Sequence, residues 1–479
     1  MRKSHFVSLM LILPLIYLIA GCTNSREKEK PNVIFFLVDD LGWTDLSCFG
    51  SDYYQTPHID RIANEGVRFT NNYSACTVCS PTRAALMSGK YPARINCTDW
   101  IQGHKYPWAK LQVPDWTMYM DTAEFTVAEA FRAAGYKTAH IGKWHLGDDE
   151  IHWPENHGFD VNIGGWSKGA PQHRNKNCNG YFSPYCNPRL EDGPDGEYLT
   201  KRLAREAIKF IDENKDRPFF LNFWFYNVHT PLQAEEGLIR KYENLADTSY
   251  NHQNPVYAAM IEHTDNAIGK VMQTLDSLGL KENTIIVFNS DNGGLIGRGG
   301  RVTSNEPLRK GKGHMYEGGV RVPAIMAWAD HIPSGRVLDQ PVISMDFYPT
   351  IVDLAGIRDV VPPEQMKDGV SLASLVTGQS TEISRESIFW HYPHYHNQGA
   401  VPYSAIRFND WKLIHNIHDS IVEVYNLEKD IAETKNLAQE IPEKTEALLQ
   451  KLQQWKSEVN AQMPKLNSDW DTEREFKKR

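Results

Sequence analysis

The sequence predicts an α/β protein: a large, mostly parallel sheet sandwiched by helices, followed by a smaller C-terminal antiparallel sheet and a terminal helix. Nearly continuous apolar runs of strand length recur at 32–38, 219–225 and 284–288, as expected of strands covered on both faces. Helical patterns alternate with these runs, the order of a parallel sheet with crossover helices. From about Glu386 the pattern changes to short strands separated by turn residues. With 479 residues, 41% of them hydrophobic, the chain is long enough for one large core and a smaller companion. Its formal net charge of −9 gives no reason to expect nucleic acid or an anionic membrane surface as a partner.

Residues 1–21 read as a signal peptide and are set apart from the fold. Arg2 and Lys3 form its charged start, and the apolar run after them is short for a membrane-spanning helix. Leu18-Ile19-Ala20-Gly21-Cys22 resembles a bacterial lipobox, which implies lipidation at Cys22 rather than a plain signal peptide or a single membrane anchor. The expectation is a lipid-anchored protein of the bacterial cell envelope, periplasmic or surface-facing, with 22–30 as a polar tether.

A catalytic α/β domain is expected over 31–385 and a C-terminal α+β part over 386–479. The first strand ends in Asp39-Asp40, and 57–64 reads as a helix closed by Gly66. An extended stretch, 67–73, leads to Cys79-Ser80-Pro81-Thr82-Arg83. Pro81 suits the first position of a helix. A helix starting there leaves Cys79 and Ser80 beside free N–H groups, a place for an anion that Arg83 can fork onto. A second helix, 126–134, precedes a strand that opens into Gly142-Lys143-Trp144-His145. An irregular insertion of functional length spans about 148–197, within which Cys178 and Cys186 flank a short loop and are able to bridge in an exported protein. The helix 199–215 leads to the strand that opens into His229-Thr230-Pro231-Leu232. A long helix, 257–278, precedes the strand that opens into Asp291-Asn292-Gly293. Strand 322–328 and helix 348–355 close this part. Strands are expected near 388–390, 404–407, 411–415 and 422–425, then a helix over 442–462 and a loosely packed charged tail.

In such sheets ligands bind beyond the carboxyl ends of the strands. Asp39-Asp40, Lys143 with His145, His229 and Asp291-Asn292 each follow a predicted strand, so they are expected to meet. Asp39, Asp40, Asp291 and Asn292 are hard oxygen donors, which suit calcium or magnesium and lack the imidazole and thiolate that zinc prefers.

Cys79-x-Pro81-x-Arg83, continued by Leu86-Met87-Ser88-Gly89-Lys90, resembles the signature of the type I sulfatases of the alkaline-phosphatase-like superfamily. The segments at Lys143–His145 and His229–Leu232, and Lys312 five residues before Glu317-Gly318-Gly319, resemble further segments of that family. The resemblance runs from about Pro31 to Gly356. It implies that Cys79 is oxidised to formylglycine (3-oxoalanine) by a formylglycine-generating or sulfatase-maturating enzyme. It also implies calcium, with magnesium as the alternative, held by Asp39, Asp40, Asp291, Asn292 and residue 79. Arg83, Lys143 and Lys312 would hold the sulfate. His229, helped by Lys312, would protonate the leaving oxygen, and His145 would take the proton that lets sulfate go. The alternatives are a phosphate ester or diester hydrolase of the same superfamily and a non-catalytic glycan-binding lipoprotein.

The stretch Trp390-His391-Tyr392-Pro393-His394-Tyr395-His396 alternates rings suited to sugar C–H faces with imidazoles suited to hydroxyls. His394 and His396 are therefore expected to bind saccharide, with Trp166, His173 and Arg174 as the opposite wall. The expected reaction is exo-acting removal of O-sulfate from sulfated glycans, with galactose or N-acetylgalactosamine sulfate favoured by family likeness.

Overall fold

The computed structural model describes residues 30–297, 302–474 and 476; the predicted signal peptide, 1–21, and Cys22 lie outside them. The large sheet has eight strands: β1 (Asn32–Val38), β2 (Val67–Phe69), β3 (Lys137–Gly142), β4 (Val161–Ile163), β5 (Phe219–Trp224), β6 (Thr284–Ser290), β7 (Ala324–Ala327) and β8 (Arg336–Leu338). Their spatial order is β8-β2-β7-β6-β1-β5-β3-β4. All neighbours run parallel except β7, which is antiparallel to both β2 and β6.

Two cores explain the unbroken apolar runs. Ile34, Phe36 and Val38 of β1 point into one core with the helices Leu199–Glu213 and Pro255–Leu278. Val33, Phe35 and Leu37 point into the other, with the helices Cys79–Ser88, Val127–Ala133 and Phe347–Leu354. Alternate side chains of a strand face opposite ways, so a strand between two helix layers must be apolar at every position. Among the described residues, no helix is long and apolar enough to cross a membrane.

The C-terminal part is an antiparallel meander of β9 (Ser387–Tyr392), β10 (Tyr403–Phe408), β11 (Trp411–Asn416) and β12 (Ile421–Asn426), covered by the helix Pro442–Glu458. Its core is continuous with the loop before Cys79. Trp390 packs edge-on against Tyr73, and its indole N–H donates to the Ser74 carbonyl at 2.8 Å.

Several local expectations change. The helix starts at Cys79 and not at Pro81, because the Thr82 hydroxyl accepts from the Cys76 N–H at 3.0 Å and closes the turn earlier. Pro81 then sits third in the helix, still in the first turn, where no intrahelical N–H bond is lost. The insertion is not wholly irregular: it contributes edge strand β4, three half-buried residues too few to show a period. A helix at Glu236–Leu245 joins the outer layer. The described part of the tail is docked rather than loose. Lys465–Leu466 pairs with Leu111–Gln112, and the Phe476 ring lies 5.1 Å from that of Tyr106. Cys178 and Cys186 form a disulfide, while Cys48, Cys76, Cys79 and Cys97 are free.

Candidate active site

The carboxyl ends of β1, β3, β5 and β6 present their polar residues on one side of the sheet, and backbone bonds fix those ends together. The Asp39 N–H donates to the Asn227 carbonyl (2.9 Å) and the Asp291 N–H to the Val38 carbonyl (3.2 Å). Asp40 has a left-handed backbone, φ 60°. It is held there by its N–H donating to Asp291 Oδ1 (3.1 Å) and by the Tyr257 hydroxyl donating to its carbonyl (3.2 Å). Cys79 Sγ lies 3.5 Å from Asp39 Oδ1 and 3.9 Å from Asp40 Oδ1. One potential ligand atom from each of Asp39, Asp40, Asp291 and Cys79 lies within 4.8 Å of the others. The Asn292 amide N–H donates to Asp40 Oδ1 at 2.8 Å, while its own buried Oδ1 has no partner. An orphaned buried amide oxygen beside three buried carboxylates is a set of hard oxygen donors, so it fits a hard divalent cation.

Three buried cations face the carboxylates. Arg83 Nε and Nη2 reach Asp291 Oδ2 at 2.9 and 2.7 Å, and its Nη1 donates to the Lys143 carbonyl at 3.0 Å. Lys143 Nζ lies 2.6 Å from Asp39 Oδ2. Lys312 Nζ lies 2.6 and 2.8 Å from the Asp40 oxygens and 3.4 Å from Cys79 Sγ. Burial and the neighbouring Asp291 push the Asp39 carboxyl well above its ordinary value, a crowding that a bound cation relieves. Burial would raise Asp40 as well, but Lys312 and His229 hold it below the usual range. Burial pushes the Cys79 thiol up to about 12, against the pull of Lys143 and Lys312.

The two histidines have defined tautomers. His145 Nε2 is bonded to the Ile101 carbonyl, so it carries the proton, and the buried Nδ1 is left without a partner. His229 Nδ1 is bonded to the Thr230 carbonyl at 2.7 Å, which leaves Nε2 as acceptor 3.7 Å from Asp40 Oδ2. Burial and then Lys312 push His229 down to about 3, so its ring is neutral near pH 7. The Ser80 hydroxyl ties the histidine to the cleft wall, donating to the His145 carbonyl (2.9 Å) and accepting from the Ile101 N–H (3.1 Å).

Above Cys79 opens a cavity of about 290 Å³ that includes Asp40, Trp100, His104, Arg174, His229, Lys312 and His396 in its lining. The structure thus brings together Asp39, Asp40, Cys79, Arg83, Lys143, His145, His229, Asp291, Asn292 and Lys312, with Arg174 and His396 at the cleft. His394 does not belong there. It is buried, its Nε2 bonded to the Thr98 hydroxyl at 2.8 Å, with its ring against Trp116. Beyond Tyr392 the chain leaves the strand at Pro393, and His394 turns inward while His396 turns to the cleft. Trp166 does not line the cavity; its carbonyl accepts from the His145 N–H at 3.1 Å. The reading from sequence missed the wall segment with Trp100 and His104, whose only signal is an unpatterned aromatic and polar run, Asp99-Trp100-Ile101-Gln102-Gly103-His104.

Clustered carboxylates beside the start of a helix, at the carboxyl edge of a mostly parallel sheet, place the chain in the alkaline-phosphatase-like class of ester hydrolases. Within that class the chain belongs to the sulfatase family: residues 31–357 match the family described as Sulfatase, and residues 310–462 match N-sulphoglucosamine sulphohydrolase, C-terminal. A sulfatase of Formosa agariphila is 32% identical over 485 residues, an alignment covering 87% of this chain and 86% of that one. The N-acetylgalactosamine-6-sulfatase of Canis lupus familiaris is 34% identical over 399 residues, covering 77% and 70%. The crystal structure of Ps i-CgsB in complex with k-i-k-neocarrahexaose shares the fold at a TM-score of 0.75 and 29% identity, covering 93% of this chain and 96% of that one. The chain is therefore a sulfuric ester hydrolase, and its family implies a metal ion and formylglycine.

Proposed function

We propose that this sulfatase removes O-sulfate from saccharides by exo action, with galactose or N-acetylgalactosamine sulfate as the favoured unit. The observation that carries the reading is the setting of Cys79. It lies 3.4 Å from Lys312 Nζ, in contact with Asp39 and Asp40, under a cavity of about 290 Å³. A thiol pushed up to about 12 is a poor nucleophile near neutral pH, which supports conversion of this residue before it acts. The cavity has room for roughly one sugar sulfate, which supports exo action. The likenesses to an N-acetylgalactosamine-6-sulfatase and to a structure holding k-i-k-neocarrahexaose support a glycan substrate.

Asp39, Asp40, Asp291 and Asn292 would hold the divalent ion, calcium by this reading and magnesium second, which supplies Lewis-acid polarisation of sulfate and nucleophile oxygens. Residue 79, once converted, supplies a hydroxyl of the hydrated aldehyde for in-line attack at sulfur. Arg83, Lys143 and Lys312 are placed to hold the sulfate oxygens as charge builds on them. His229 Nε2 and Lys312 Nζ both face Asp40 and line the cavity; the negative charge of a bound sulfate would favour a proton on Nε2, which His229 would then give to the leaving sugar oxygen. His145 Nδ1, unpaired and buried, is the base for the remaining hydroxyl as sulfate departs.

The test is sulfate release from a panel of defined sulfated saccharides alongside an aryl sulfate, with the mass of the Cys79 peptide measured on the same protein. Turnover of the aryl sulfate alone would end the glycan reading; an unconverted Cys79 in active protein would end the nucleophile assignment. We propose also that Cys22 is lipidated and anchors the protein at the cell envelope. Cys22→Ala should then move it from the membrane to the soluble fraction, and an unchanged distribution would count against the anchor.

A further inference from the structure

The cavity above Cys79 is continuous with a second lobe of about 360 Å³, and the two share Trp100, His145, Arg174, His229 and Thr230. One wall of the second lobe is Trp100, Ile101 and Gln102; the other is the insertion, from Ser167 to Arg174. The insertion is seated against the site. The Trp166 carbonyl accepts from the His145 N–H, and a Cβ added at Gly169 would come within 2.4 Å of the His145 ring. Only glycine lets the strand of chain that carries Lys168 lie this close to the imidazole.

The charge of this lobe is not used internally. Among the described residues, no ion pair or hydrogen bond engages the Lys168 ammonium or the Arg174 guanidinium. The acidic side chain lining it, Asp148, accepts from the Gln102 amide at 3.0 Å and so faces the opposite wall. Lys168 lines the second lobe and not the first, whereas Arg174 lines both. An unpaired cation in a cleft that leads to the reacting atoms is placed to meet an anion on the substrate, away from the sulfate being removed.

We propose that the second lobe binds the sugar adjacent to the one that loses sulfate, and that Lys168 selects a neighbour bearing its own anionic group, a sulfate or a carboxylate. The proposal rests on the glycan reading above and adds the substrate class: oligosaccharides charged on successive units.

The test uses the matured protein and disaccharides that share one terminal sulfated unit and differ only in the neighbour, which is neutral, O-sulfated or a uronate. The expected result is a kcat/KM about tenfold higher for an anionic neighbour, carried by KM and fading as salt is raised. Lys168→Ala should abolish this preference while keeping the rate on the neutral disaccharide, Lys168→Arg should restore it, and Lys168→Glu should reverse it. The sulfated and uronate arms tell which anion is read. Equal wild-type rates on neutral and charged neighbours, or an equal loss on both in Lys168→Ala, would overturn the proposal and leave the glycan reading intact. Hydrolysis of an aryl sulfate with no saccharide sulfate turned over would remove both.

Discussion

Arg83 shows how tightly single residues are committed. Its side chain is wholly buried, it pairs with Asp291 through two nitrogens, and a third holds the Lys143 carbonyl. Asp291→Ala should therefore lose bound metal and activity, and also destabilise the fold by about 3–5 kcal/mol, because a buried guanidinium loses its main partner. Metal content and denaturant unfolding measured together check this; full stability with lost metal would show that Asp39, 3.8 Å from Nη2, suffices as the counter-charge. Cys79→Ala should abolish turnover with the fold intact, and retained activity would contradict the nucleophile assignment. His229→Ala should harm sugar sulfate hydrolysis far more than aryl sulfate hydrolysis, because a sugar alkoxide needs a proton and a phenolate needs it much less. Equal losses on both substrates would remove its role as proton donor. At this scale the sequence was most legible. The ligands and bases stand within a few residues of strand ends, and the cysteine motif carries its own spacing. His394 was misplaced because its direction depends on how the chain leaves β9 after Pro393, which no local pattern encodes.

At the scale of elements, the site depends on where strands stop. Gly142 ends β3 with φ 104°, and a Cβ there would lie 1.9 Å from the Trp224 carbonyl oxygen. That close approach lets the Lys143 N–H donate to the same carbonyl at 2.8 Å and aims Lys143 at Asp39. Gly142→Ala should cost about 1–3 kcal/mol from backbone conformation alone, and more through the clash. It should lower kcat on every substrate by displacing Lys143. A thermal melt with steady-state kinetics would measure both, and wild-type values for each would show that the turn tolerates a side chain. By contrast, Thr126 caps the helix Val127–Ala133 in a capping box with Glu129, away from the cleft. Thr126→Ala should cost about 1 kcal/mol of stability and leave kcat unchanged. The apolar runs announced β1, β5 and β6 because both faces are covered. Strand β4 was invisible because a three-residue edge strand has no period to read.

For the whole molecule, the C-terminal sheet supports the cleft from behind. The Tyr392 hydroxyl donates to Asp99 Oδ1 at 2.8 Å and His394 bonds Thr98, so β9 and the chain beyond it hold the wall that carries Trp100. A buried Lys412 adds a second link, bridging Glu317 at 2.8 Å and Glu433 at 3.0 Å. Burial pushes Asp99 up to about 7. Between its ordinary value near 4 and that value, the folded chain keeps a proton that the unfolded chain has released. Its contribution to stability is thus complete at low pH and is lost as pH rises through about 7. Asp265, also pushed up to about 7 by burial, has the same sign, so the comparison of wild type with variant isolates Asp99. Asp99→Asn should flatten the decline in Tm between about pH 4.5 and 7.5; parallel profiles would show that Asp99 is not protonated in the fold.

By itself the sequence determined the α/β class and the residues at the strand ends, which rest on apolar period and turn chemistry, and it carried the resemblance to the sulfatases in motifs local along the chain. It also marked the insertion and the aromatic stretch after Trp390 as unusual. Only the tertiary structure decided which of their residues reach the cleft. Arg174 and His396 do, while His394 and Trp166 serve the wall and the backbone of His145. It also decided which histidine nitrogens are left as acceptors and that Lys168 faces a second lobe without a partner. Those outcomes are set by the neighbour each group meets once the chain is folded: His394 bonds Thr98, 296 residues away in the chain, and the Trp166 carbonyl meets the His145 N–H where the insertion folds back on the site.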